Sequence, residues 1–340
     1  MALVDRAHGL REPVARYFPG LLLCGTIAAA ATFLSEHYGG PAMLFALLLG
    51  IAFNFTAEEG KAKVGVEFAS KFVLRLGVGL LGIRITMGEI AAFGWQTPAV
   101  VAALIALTMA TGFVAARAFG RQWRFALMTG GAVAICGASA TLAIAAVIPH
   151  NDKTERNVLF TVVAVTTLST VAMVLYPILF GLLGIDDREI GFLIGATIHD
   201  VAQVVGAGYS VSDRAGDAAT VVKLMRVAML PVVLVAIVLA LRATGAGKQD
   251  ARVPLLPWFM VLFIALSATA SFAALPETLT GAVETASRAM LLTAIAALGV
   301  KTSLKAMMAV GGGHIGVVTV ETLVLLVAAV AAFELFLSLA

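Results

Sequence analysis

Residues 157–183 read NVLFTVVAVTTLSTVAMVLYPILFGLL, a run without one charged side chain. About 20 apolar residues in helical form cross the roughly 30 Å hydrocarbon core of a bilayer. Ten further stretches of the same character lie at 18–35, 41–56, 72–92, 97–118, 124–149, 189–210, 217–241, 254–274, 283–302 and 314–338. The pattern predicts an all-α polytopic membrane protein with about eleven transmembrane helices. Composition agrees, since 61% of the 340 residues are hydrophobic, 13% are charged and the mean hydropathy is +1.00. A soluble domain of this length needs a far more polar surface.

Between the second and third runs, "AEEGKAKVGVEFASK" (57–71) is too charged to span and reads as an amphipathic interfacial connector. Residues 1–17, with Arg6, Arg11 and Arg16, form an N-terminal segment ahead of a retained first helix. Residues 18–340 then read as a single transmembrane domain. Of the 23 Lys and Arg residues, fifteen fall in loops on the side of the N-terminus and four on the opposite side. The positive-inside rule therefore predicts a cytoplasmic N-terminus, an external C-terminus and a location in a bacterial-type inner membrane. Trp95, Trp123 and Trp258 fall near span ends, as an aromatic belt requires.

No Lys/Arg cluster with interleaved aromatics offers a nucleic-acid footprint. Cys24 and Cys136 give neither metal spacing nor a disulfide framework, and no cofactor motif is visible. "LLGIRITMGEIAAFG" (80–94) resembles "ALGVKTSLKAMMAVG" (297–311) at a constant offset. In spans of opposite direction, that likeness is what an inverted repeat looks like, although chance similarity of two apolar segments accounts for it equally well.

Ionisable groups inside the spans carry the functional reading, because each is costly in hydrocarbon. "GATIHDVAQVVGAG" (195–208) sets His199, Asp200 and Gln203 within five positions of the seventh span. On a continuous helix His199 and Gln203 share one face. The eighth span places Lys223 and Arg226 three apart, hence on one face, above a kink at Pro231. They form either an anion cradle or a pair of snorkelling side chains. In the fifth span, "GGAVAICGASATLAIAAVIP" gathers Gly137, Ser139 and Thr141 around Cys136. These small residues serve either close helix packing or a broken helix whose amide ends face a solute. Glu321, inside the last span without a local partner, is held in reserve as a proton site.

"LGVGLLGIRITMGEI", "AICGASATLAIAAVIP", "TIHDVAQVVGAG" and "VVKLMRV" occur in this order, and together they resemble the YeiH-like membrane proteins, a family named for sulfate export. The likeness extends from about residue 18 to about residue 338. Where many relatives carry Glu after the histidine, this chain has Asp200. The resemblance implies a secondary transporter related to the sodium–proton antiporter and bile-acid symporter superfamily, built from inverted repeats with crossed, broken helices. The reading is a transporter, in the exporting direction, of a small anion such as sulfate or a sulfonate. Lys223, Arg226, Gly137, Ser139, Thr141 and Gln203 would hold the anion, and Asp200 with His199 would carry a coupling proton. The expected partners are this anion and the bilayer, with homo-oligomerisation left open. Two rivals are a cation–proton antiporter using Asp200 and an intramembrane enzyme pairing Cys136 with His199.

Overall fold

The structure, a computed structural model, describes residues 2–58, 60–244, 257–273, 275–302 and 312–336. Every regular element among the described residues is helical. Six helices are long and apolar enough to cross a membrane: Arg16–Tyr38, Gln96–Ala118, Thr154–Gly181, Asp213–Ala243, Glu277–Lys301 and Ile315–Leu335. The other five expected spans hold shorter or interrupted helices. Ala42–Ala52 has 11 residues and Trp258–Phe272 has 15, and the third, fifth and seventh spans are each broken into pieces. Large apolar side chains stand outward on the long helices, among them Val114, Leu159, Val232 and Val327. A lipid-facing surface calls for that arrangement, since hydrocarbon exacts no penalty for it.

The region read as one domain consists of two compact units. The first combines Met1–Met87 with Trp258–Ser303. Its opening helix runs Ala2–Tyr38, and its apolar, membrane-length part is Arg16–Tyr38. The second half of the 57–71 stretch is helical. A helical run begins at Lys63–Phe68 and passes through a π-helical turn at Ala69–Val73 into Leu74–Leu80. Val66 and Ala69 are buried in this unit, while Lys63, Glu67 and Lys71, spaced four apart, line the exposed face of a packed helix. Arg84 Nη1 reaches Glu284 Oε1 at 2.9 Å, and Glu284 also meets Arg288 at 3.5 Å.

The second unit comprises Gly88–Pro257 and Leu304–Ala340. It packs Gln96–Ala118, Thr154–Gly181, Asp213–Ala228 and Gly312–Phe336 about two interrupted elements. As expected, the eighth span bends near Pro231. Asp213–Ala228 stops, and Leu230–Ala243 begins with Pro231 in its first turn, where a missing N–H costs nothing. In the repeat proposed from 80–94 and 297–311, residues 303–311 lie outside the described residues.

Candidate functional site

Both interrupted elements break where the sequence supplies a stop and a start together. Trp123–Gly131 loosens into a π-helical turn at Ala132–Cys136 and ends at Gly137, with φ 57° and ψ −123°. Only glycine occupies that backbone region at ordinary cost, so "CGAS" ends one helix and frees Ala138–Val147 to begin another. The second element starts with a capping box, in which Asp186 accepts from the Glu189 amide and Glu189 reaches back to the Asp186 amide. It ends at Thr197, and extended backbone at Ile198 and Asp200 leads into Val201–Val211. His199 and Gln203 therefore do not share one face of a continuous helix. His199 lies in the break, Asp200 is the N-cap of the next helix, and Gln203 sits in its first turn. Asp-x-x-Gln is itself an N-terminus signature, and that signal would have located the break.

The two breaks meet. A Cβ placed on Gly137 would lie 3.7 Å from Asp200 Cβ and 3.8 Å from its Oδ2. Two half-helix N-termini, Ala138–Val147 and Val201–Val211, thus start beside one another. Each brings first-turn N–H groups without intrahelical partners and the positive end of a helix dipole. Asp200, half-buried between them, is the carboxylate such a place favours. Its own amide donates to Ser169 Oγ at 3.2 Å.

The opposite ends, the C-termini of the first halves, are served by Asp213–Ala228. This helix packs against Asp187–Thr197 so tightly that a Cβ on Gly195 would fall 2.5 Å from the Ala219 carbonyl. From it Lys223 and Arg226 project inward, 0% and 2% exposed. Lys223 Nζ donates to the carbonyls of Ile135 (2.6 Å), Ile198 (3.0 Å) and His199. Arg226 donates from Nε to Ala134 (2.8 Å), from Nη1 to Gly195 and Ile198 (2.9 Å each) and from Nη2 to Val133 (2.6 Å). Three carbonyls around one nitrogen need three N–H donors, so Lys223 is the ammonium. The pair neutralises the negative ends of two half-helices, whose last carbonyls would otherwise be orphaned in a low dielectric.

This changes what the cations do. The sequence reading gave them free donors for a solute, but every proton of Lys223 is already on a carbonyl. Neither side chain snorkels. Local spacing could not reveal this, because their acceptors lie between 24 and 93 residues away.

Of the other expected residues, Ser139 is exposed beside Gly137 at the start of its half-helix. Thr141 is fully buried and turns its hydroxyl to the Gly137 carbonyl at 3.1 Å. His199 Nε2 meets Thr322 Oγ1 at 2.9 Å. Thr322 gives its only proton to the Val318 carbonyl, so Nε2 must carry the hydrogen in this pair. Gln203 Nε2 donates to Thr170 Oγ1 at 3.4 Å, while the Thr170 proton goes to the Thr166 carbonyl. Two buried atoms, His199 Nδ1 and Gln203 Oε1, have no hydrogen-bond partner among the described residues. The hydroxyls of Ser169, Thr170 and Thr322 were missed from the sequence. The polar run "TTLST" (166–170) inside an apolar helix was the visible mark of Ser169 and Thr170.

Cys136 and His199 make no hydrogen bond to one another among the described residues, and no group of three metal-ligating side chains assembles among them. The particular Cys136–His199 pair of that rival reading is thus not hydrogen-bonded.

Fold and site together define an α-helical membrane protein with two broken helices, joined at their N-termini near a carboxylate and capped at their C-termini by buried cations. Residues 19–318 match the family described as Conserved hypothetical protein 698. The chain is 53% identical over 313 residues to the UPF0324 membrane protein TauZ of Paracoccus denitrificans, covering 91% of this chain and 93% of that one. It is 50% identical to the UPF0324 membrane protein RB0971 of Rhizobium meliloti, covering 94% and 93%. It is 49% identical to the UPF0324 membrane protein CT0845 of Chlorobaculum tepidum, covering 92% and 88%. The chain belongs to this YeiH-like UPF0324 family of membrane proteins. No solved structure matches it.

Proposed function

We propose that this protein is a secondary transporter of a small anion, with sulfate or a small sulfonate as the leading substrates, coupled to protons and working as an exporter. The observation that carries this reading is the meeting of two half-helix N-termini at Gly137 and Asp200. The first-turn amides there, with the Ser139 hydroxyl, are the donors left for a solute. Helix N-termini bind oxyanions through such groups.

Charge bookkeeping supports an anion. Lys223 and Arg226 contribute two positive charges, and the four helix ends, at about half a charge each, cancel among themselves. With Asp200 ionised, the crossing keeps an excess of about one positive charge, and with Asp200 protonated about two. A bound anion and an ionised Asp200 compete for the same amides. Anion uptake therefore favours protonation of Asp200, and that is the coupling. His199, in the same break, is the group best placed to exchange that proton. Lys223, Arg226, Thr141 and Gln203 act here through field and framework, not through first contact.

The eleven expected crossings, with the N-terminus cytoplasmic and the C-terminus outside, belong to this proposal. The two interrupted elements would each cross once as a pair of half-helices, as broken transporter helices do.

One observation favours a cation–proton antiporter instead. The unpartnered atoms His199 Nδ1 and Gln203 Oε1 act as acceptors here, and acceptors beside Asp200 suit a cation. Thermal unfolding of the purified protein against sulfate, sulfite, ethanesulfonate, chloride and Na⁺ separates the two. A ligand that binds the folded state raises the melting temperature with concentration. The anion reading expects a rise with one oxyanion class that Gly137→Val abolishes. A rise with Na⁺ alone, lost in Asp200→Asn, would replace it with the cation reading.

A further inference from the structure

One buried ionisable group is not used by the crossing. Glu321 lies within the terminal helix Gly312–Phe336 and is 0% exposed. Its carboxyl occupies a slot left by the missing side chain of Gly112 on Gln96–Ala118, where a Cβ would approach Oε1 to 2.5 Å. Thr129 Oγ1 stands 2.7 Å from Oε1, and Oε2 has no hydrogen-bond partner among the described residues. The slot is therefore built by three helices: Glu321 from the last, Gly112 from the fourth expected span, and Thr129 from the first half of a broken helix.

Among the described residues no cation offsets a charge there. The elements packed on the terminal helix carry Arg117, Arg124, Cys136, Tyr176, Arg188 and, at the break, His199, besides the helix-end groups Glu155–Arg156 and Asp187–Glu189. On the terminal helix itself, His314 and Glu334 lie about two and about three and a half turns away. Apart from His314, whose side chain lies outside the described residues, none of these pairs with Glu321. Arg117 is exposed, Arg124 Nε is on the Pro149 carbonyl, Arg188 lies over the Phe93 ring, and His199 is on Thr322. An ionised carboxylate in this slot would have one hydroxyl against a full charge, which apolar surroundings do not sustain.

As a neutral acid the group fits. Its O–H then donates to Thr129 Oγ1, and the Thr129 proton passes to the Phe125 carbonyl at 3.1 Å. The neighbouring Thr322 holds His199. Two consecutive residues of one helix, pointing about 100° apart, thus grip both broken elements, Glu321 through Thr129 and Thr322 through His199.

We propose that Glu321 is a proton-binding site of this protein, separate from Asp200. It holds a proton as a carboxylic acid while joined to Thr129, and gives it to water when that contact opens. This assignment does not depend on which solute is carried.

Infrared spectroscopy of the purified protein tests it without a substrate, in wild type, Glu321→Gln and Asp200→Asn. The wild type is expected to show the carbonyl stretch of an un-ionised carboxylic acid. Glu321→Gln should lose that band, Asp200→Asn should keep it, and raising the pH on the folded wild type should convert it reversibly to carboxylate absorption. Absence of the band in wild type, or its survival in Glu321→Gln, would overturn the proposal. So would a band that no pH tolerated by the fold can convert, since that describes a fixed structural acid. Should Glu321→Gln fail to fold, Thr129→Val decides. Removing the one hydrogen-bond partner that Glu321 has among the described residues should shift the band to higher frequency, and an unmoved band would contradict the assignment. Failure here leaves the anion reading standing, because its own test is the ligand-dependent melting temperature.

Discussion

Lys223 and Arg226 illustrate how a buried charge is made tolerable in a membrane protein. Their seven hydrogen bonds reach six carbonyls, all at the ends of broken helices. Arg226→Lys should not be conservative, because an ammonium cannot reproduce a planar fork with separate Nε, Nη1 and Nη2 directions. At least two carbonyls would lose their donor, at about 1–3 kcal/mol each. Thermal unfolding in detergent should show the loss, and an unchanged melting temperature would contradict the capping role. Lys223→Met should be comparably damaging, because the Ile135 and His199 carbonyls lose their donor while Ile198 keeps Arg226 Nη1. The sequence made these residues legible as functional, since two cations three apart in an apolar span call for an explanation. It did not make their partners legible. Spacing within one helix says which side chains share a face, and nothing about distant carbonyls that meet them only in the folded chain. Glu321 is alike in this respect, its partner Thr129 lying 192 residues away.

Two breaks in helices form the proposed site, and they were unequally visible. "GGAVAICGASAT" announces its own interruption, because small residues weaken a helix and Gly137 provides the positive φ that ends one. "TIHDVAQ" hides its break, since Ile, His and Val all keep a helical apolar rhythm, and only the Asp-x-x-Gln spacing betrays a new N-terminus. Replacement of Gly137 tests the first break. An alanine there must occupy a backbone region that costs about 1–3 kcal/mol for a residue with a Cβ. It also brings a methyl within 3.4 Å of Val165 and 3.7 Å of Asp200. Gly137→Ala should lower the melting temperature and weaken anion binding together. Gly181→Ala is the matched control, because a Cβ there meets nothing within 4 Å, and its melting temperature should fall by less. Equal effects at the two positions would remove the special status of the break.

The proposed arrangement across the bilayer rests on charge counting on the loops, and it is open to direct test. Cys24 and Cys136 are both buried, so an introduced cysteine is the natural site of labelling by a membrane-impermeant thiol reagent. Lys153→Cys, in an exposed turn, should react from outside intact cells, and Arg117→Cys, at an exposed helix end, only from the cytoplasmic side. The reverse pattern would invert the topology. Apolar run lengths located helical material in all eleven expected places, yet only six of those helices are long and apolar enough to be read as spans on their own. Ala42–Ala52 and Trp258–Phe272 are short, and the third, fifth and seventh runs are interrupted, which hydropathy does not register because it measures apolar length and not helical continuity. Division into two units was equally hidden, since the first unit joins residues more than 170 positions apart. The account rests on anion passage at the joined N-termini, and counterflow of labelled sulfate in proteoliposomes measures it most directly. Preloaded with sulfate or ethanesulfonate, vesicles holding the wild type should take up label transiently, and vesicles holding Gly137→Val should not. No uptake with any anion of the panel, alongside Na⁺-driven proton movement lost in Asp200→Asn, would contradict it.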